Sequence, residues 1–167
     1  MHINQNLIVK IGIFAVLSWS LNASAETKNQ NGWYTNVTVD EMTDKTIAYS
    51  FKFSENANLG YMDDDRGTIT IQCSNNKTLV FIDNEKLISF SATTPVMFRL
   101  DDNKAKTENW LVAGEDQSNV VPKNSIEFAK RILNANQLKV KIDGDISTYD
   151  LTGFELALQP IRKHCNW

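Results

Sequence analysis

Few side chains in this chain have the chemistry to make or break a covalent bond. Past the first 25 residues a single histidine remains, His164, seated beside Cys165 close to the C-terminus. A Ser-His-Asp triad would have to be assembled around it in the last turn of a helix. An imidazole there is ordinarily a surface group favoured by the helix dipole. Ser74-Asn75-Asn76-Lys77 has the S-x-x-K spacing of penicillin-binding enzymes, which need both side chains on one face at the start of a buried helix. Here the match falls in a hairpin turn, and no K-T-G or S-D-N partner accompanies it. Met62-Asp63-Asp64-Asp65-Arg66-Gly67 misses the calcium-loop spacing and lacks the bidentate glutamate, so it reads as a solvated acidic turn. With one histidine and two cysteines, too few ligands remain for a zinc site. No catalytic residue, metal or cofactor is expected, and nothing singles out an acid pair for glycoside chemistry.

The cysteines belong to a different argument. Met1 to Lys10 is polar with one lysine, Ile11 to Leu21 is almost wholly apolar, and Ala23-Ser24-Ala25 is a small-x-small cleavage signal. That is the plan of a secretory signal peptide over residues 1–25, with an apolar run too short for a membrane span. The expected mature protein, residues 26–167, is a single periplasmic or secreted domain without stable membrane insertion. An even cysteine pair in an exported chain predicts a Cys73–Cys165 disulfide. The chain carries a net charge of −3, and loss of Lys10 with the leader makes it −4. An acidic balance of this kind excludes nucleic acid as a natural partner.

The elements that position these residues are mostly strands. Trp33 to Val39, Thr46 to Phe53, Thr68 to Cys73, Thr78 to Asp83, Thr94 to Leu100, Thr107 to Val112, Leu138 to Ile142 and Ile146 to Asp150 carry strand patterning. Alternation places Ile69, Ile71 and Cys73 on one inward face. Asp143-Gly144 is a strong hairpin signal. Asn124 and Glu127 stand at capping-box spacing ahead of a helix over 125–133, with Ile126, Ala129 and Ile132/Leu133 on its buried face. Thr152 and Glu155 open a C-terminal helix whose Phe154, Leu158, Ile161 and Cys165 share a stripe. Glu26 to Gly32 reads as a frayed terminus. The expected fold is α+β and β-rich: an antiparallel sheet or sandwich of about eight strands with two short helices, the C-terminal one tethered by the disulfide.

Large aromatics, Trp33, Tyr34, Trp110 and Trp167, pack into a core by default. Arg99 lies between inward-facing Phe98 and Leu100, so it faces solvent, with Asp101 and Asp102 as expected surface ion-pair partners.

Three stretches are recognisable together. They are Ile71-Gln72-Cys73-Ser74-Asn75-Asn76-Lys77-Thr78, the segment Phe98-Arg99-Leu100-Asp101-Asp102-Asn103-Lys104-Ala105 with Trp110, and the C-terminus. There Tyr149-Asp150-Leu151-Thr152-Gly153-Phe154 and Ile161-Arg162-Lys163-His164-Cys165-Asn166-Trp167 look like an F-D-L-S-G block and an R-x-x-C-G-W ending, with Asn166 in place of glycine. In these features the chain resembles the bacterial type VI secretion-associated periplasmic proteins often called TagO or VasI, over roughly Thr46 to Trp167. The resemblance implies an exported bacterial protein, and together with the absence of a catalytic constellation it leads to the expectation of a non-catalytic accessory protein that binds a secretion-apparatus or envelope protein through an exposed sheet face. It implies that Cys73 and Cys165 pair, and it makes Arg99, Asp101, Asp102, Trp110 and Trp167 the candidate binding or framework residues. The alternatives are a cell-wall-directed hydrolase or glycan-binding protein, and a prophage-related envelope protein of the same fold.

Overall fold

The computed structural model describes residues 28–56 and 66–167. The expected leader and residues 62–65 of the acidic turn lie outside the described residues. Ten strands and two helices follow one another as β1 (Lys28–Gln30), β2 (Trp33–Asp40), β3 (Lys45–Phe53), β4 (Thr68–Ser74), β5 (Lys77–Asp83), β6 (Thr93–Leu100), β7 (Lys106–Ala113), β8 (Asn119–Val121), α1 (Ser125–Ile132), β9 (Gln137–Ile142), β10 (Asp145–Asp150) and α2 (Phe154–Cys165). All the strands join one antiparallel sheet in the order β1-β2-β3-β4-β5-β8-β7-β6-β9-β10. The eight expected strands are all present, each within one residue of its expected ends. Two three-residue strands are additional. β1 pairs its backbone with β2, so this stretch is not the frayed terminus its composition predicts, and β8 joins the β1–β5 meander to the second half of the sheet. Three residues are too few to show an alternating pattern, so pairing alone defines these strands.

Turn chemistry fixes the hairpins. Asn75-Asn76 and Asp143-Gly144 hold positive φ at both central positions, with φ 51° and 57° in the first and 46° and 96° in the second. These are the left-handed conformations that Asn, Asp and Gly tolerate and that match the twist of the flanking strands. Ser74 and Lys77 flank the first of these turns as a cross-strand pair, which disposes of the S-x-x-K match.

One face of the sheet is apolar, and the helices cover part of it. Ile69, Ile71 and Cys73 of β4, Val80 and Ile82 of β5, Phe98 of β6 and Leu138, Val140 and Ile142 of β9 are all buried. α1 is capped by the Asn124 side chain, which accepts from the Glu127 N–H at 3.1 Å. Its buried residues are Ser125, Phe128, Ala129 and Ile132, so Phe128 takes the place expected for Ile126. The reason is tertiary. Phe128 stands edge-to-face against both Trp110 and Phe98, at centroid separations of 4.8 and 5.4 Å. Such pairs contribute about 0.5–1.5 kcal/mol each beyond their burial.

α2 lies over β2, β3 and β4 and buries Phe154, Ala157, Leu158, Ile161 and Cys165, the expected stripe plus Ala157. Its start differs from the T-x-x-E expectation. Gly153, at φ 82°, is the N-cap, while the Thr152 N–H is taken by the Asp150 carboxylate at 2.9 Å. A Cβ on Gly153 would stand 2.9 Å from the Asn31 side chain, so only glycine gives the chain both this angle and this approach. Two further contacts anchor the helix. The Ser50 hydroxyl donates to the Ala157 carbonyl at 2.7 Å and shares a hydrogen bond with Thr35, and the Cys73–Cys165 disulfide ties its last turn to β4.

The sheet curls until its far end returns to β3. The Glu55 N–H donates to the Thr148 carbonyl at 2.7 Å, and the Asn56 side chain both accepts from the Thr148 N–H and donates to the Ile146 carbonyl. Asn56 thus covers part of the open edge of β10, which would otherwise be a template for another strand. Lys52, 8% exposed, completes the closure: its ammonium donates to the Asn31 carbonyl at 2.9 Å and to Asp150 at 3.1 Å, and lies over the Trp33 ring. Among the described residues no helix is long and apolar enough to cross a membrane.

Candidate functional site

The residues singled out in sequence separate into two sets. Trp110 is fully buried beside Phe98 and Phe128 and belongs to the core. Trp167 closes the C-terminus: its indole N–H donates to the Thr78 hydroxyl at 2.6 Å, and the Arg162 guanidinium lies over its ring and donates to its carbonyl. Asn166 stands at φ 51°, the conformation a glycine would supply, and its N–H bonds the Arg162 carbonyl. The departure from glycine therefore changes the residue and not the path of the chain. The disulfide and these two tryptophans are framework.

Arg99 is placed differently. The expected ion pair with Asp101 or Asp102 does not form, because Asp101 turns the other way. Its carboxylate accepts the Asn136 and Gln137 N–H groups, each at 2.9 Å, and so holds the entry to β9. Asp102 is exposed in the β6–β7 turn. Arg99 instead faces outward from β6, directly opposite Lys139 of β9, in the row next to the Met97–Lys141 pair; Ile146 of β10 lies opposite Lys141. Together with Ala105, these side chains line an outward-facing groove of about 240 Å³, floored by the strand backbone at Phe98 and Val140, whose side chains point into the core. No carboxylate among the described residues lies within ion-pairing distance of Arg99, Lys139 or Lys141.

On the other side of the β6–β7 hairpin a second hollow, of about 320 Å³, is lined by Leu100, Asn103, Lys104, Lys106 and Arg131 around the same Phe98. Arg131 is committed there. It donates to Glu108 at 2.8 Å and lies over the Phe98 and Phe128 rings. Its hydrogen bond to Glu108 is the main reason that the Glu108 carboxyl titrates below the ordinary range. The hairpin therefore carries cations on both faces in a chain whose net charge is −3.

The opposite half of the sheet exposes an uncharged aromatic row, Tyr34, Tyr49, Phe51 and Phe53. Tyr34 and Phe51 stack at 5.1 Å with 15° between their planes, and Phe53 stands edge-on to both.

Sequence reasoning missed Lys139, Lys141 and Ile146 as neighbours of Arg99. Alternation marks Lys139 and Lys141 as outward-facing, but nothing local states that β9, not β7 alone, borders β6. Among the described residues no three metal-ligating side chains converge, and His164 sits half-buried in the last turn of α2.

These features define a β-rich, disulfide-braced module whose distinctive surface is a cationic groove on a sheet face. Residues 15–167 match the family described as Type VI secretion system VasI, EvfG, VC_A0118, and the chain belongs to that family. No curated protein and no solved structure gives a significant match.

Proposed function

We propose that this chain is an exported, non-catalytic accessory protein of the type VI secretion apparatus, acting in the periplasm by binding another protein. The family match over residues 15–167 carries the reading. The Cys73–Cys165 bridge supports export, since such crosslinks persist in oxidising compartments. The outward groove around Arg99 offers a surface for the partner. The glycan-directed alternative draws on the exposed aromatic row, in which stacking between Tyr34 and Phe51 covers one face of each ring.

The experiment is deletion of the gene in its native host, followed by measurement of type VI secretion output. Affinity capture of residues 26–167 from the periplasm under oxidising conditions accompanies it. Loss of secretion restored by the exported protein, with apparatus subunits captured, is the expected result. Unchanged secretion with recovery of wall fragments alone would move the chain to the glycan-directed class.

A further inference from the structure

The groove on the outer face of β6, β9 and β10 combines two properties that seldom coincide by chance in a structural sheet face. The first is a like-charge pair. Arg99 and Lys139 are direct cross-strand neighbours, with Lys141 two residues along the same strand. Like charges opposite one another destabilise an antiparallel pair, and threonine or a carboxylate at either position would suit the sheet better. The described residues supply no carboxylate to neutralise them. The second property is an apolar rim: Met97 and Ile146 are large hydrophobics left 44% and 49% exposed beside these cations, above the strand backbone at Phe98 and Val140.

We infer that this groove takes an acidic, aliphatic segment of a partner protein, with a carboxylate set between Arg99 and Lys139 and a neighbouring aliphatic side chain laid on Met97 and Ile146. The inference rests on the partner-binding reading above and gives that partner its chemistry. Charge complementarity favours an anion, because a carboxylate bonded by a guanidinium and an ammonium relieves the repulsion that the fold leaves standing. Shape favours a side chain over a bilayer. The groove is concave, and a net charge of −3 opposes adsorption of the chain to anionic headgroups. A peptide strand added to the sheet edge is the wrong geometry here, since these residues lie on a face and Asn56 occupies part of the β10 edge.

The test is selection of a random octapeptide display library on the oxidised, exported protein, with counter-selection on the Arg99→Glu/Lys139→Glu variant. Enriched peptides carrying carboxylates beside Leu, Ile or Val are expected, with binding at least tenfold weaker to the variant and falling with added salt. The double variant keeps like charges opposite one another with their sign reversed, so its melting temperature should stay close to that of the wild type; Arg99→Ala is the fallback if the double variant fails to fold. Enriched peptides without acids, peptides that bind the variant equally well, or no enrichment at all would overturn the assignment. So would Arg99-dependent co-sedimentation with phosphatidylglycerol vesicles in the absence of peptide binding, which would make the groove a membrane contact. A secretion defect on gene deletion together with a failed selection would leave the accessory role standing and remove only this occupant.

Discussion

Reduction of the Cys73–Cys165 bridge isolates a single physical effect. The two residues are separated by 92 positions, and both side chains are buried, at 1% and 6% exposure. Replacing them with alanine would mix loss of the crosslink with loss of sulfur packing. Reducing the wild-type protein keeps both sulfurs in place. Closing a loop of this length removes chain entropy from the unfolded state equivalent to about 4 to 5 kcal/mol. For a domain of this size about 3 °C of melting temperature accompanies each kcal/mol, so reduction should lower the midpoint by about 15 °C. The native state should persist, because α2 is also held by Phe154 against Trp33 and by the Ser50–Ala157 hydrogen bond.

Equilibrium unfolding in urea, followed by tryptophan fluorescence with and without reductant, measures the difference. The reduced protein should also show a larger denaturant slope, because its unfolded chain exposes more surface. A stability change under about 1 kcal/mol with an unchanged slope would refute the entropic account. Loss of amide protection confined to α2 would refute it differently, by showing that the bridge holds a helix its packing cannot.

Three further outcomes follow from the closure of the sheet. Lys52→Met should destabilise by about 1–3 kcal/mol, read by thermal melting, because the Asn31 carbonyl loses its buried donor while Asp150, 41% exposed, is rescued by water. Gly153→Ala should cost more than Gly144→Ala: both force alanine to positive φ at about 1–2 kcal/mol, but only the first drives its Cβ into Asn31, whereas a Cβ at Gly144 meets nothing within 4 Å. Acid unfolding should begin as pH falls below about 4. Burial pushes the Asp150 carboxyl upward, but its bonds to Thr152 and Lys52 outweigh this and hold it below its ordinary value, as the Arg131 bond does for Glu108. A carboxyl lowered on folding contributes stability that is complete above its unfolded value and lost as pH falls through the folded one. Asp150→Asn should therefore flatten the acid limb of the stability-versus-pH curve, and an unchanged limb would count against Asp150.

The sequence by itself determined the parts whose physics is local. Alternation in Thr68–Cys73 and Leu138–Ile142 set which side chains face inward, because side chains in a strand alternate with a period of two. Asn75-Asn76 and Asp143-Gly144 announced their hairpins because few residues accept left-handed φ. The stripe of Phe154, Leu158, Ile161 and Cys165 fixed the buried face of α2. The ending around Cys165 and Trp167 carried the family resemblance, and Asn166 could stand for glycine because both tolerate the conformation the helix end requires.

What the tertiary structure alone decided is everything that depends on which elements are neighbours. β8 has no periodicity of its own and exists as a strand because β5 and β7 both pair with it. Phe128 displaces Ile126 from the buried face of α1 because Trp110 and Phe98 meet it there. Gly153, not Thr152, begins α2 because Asp150 has already claimed the Thr152 N–H. The groove is the clearest case. Arg99 and Lys139 are forty residues apart, and each alone reads as an ordinary solvated cation. They become one site only because β9 crosses to the free side of β6, and the order of strands in a sheet is set by long-range pairing that no local pattern encodes.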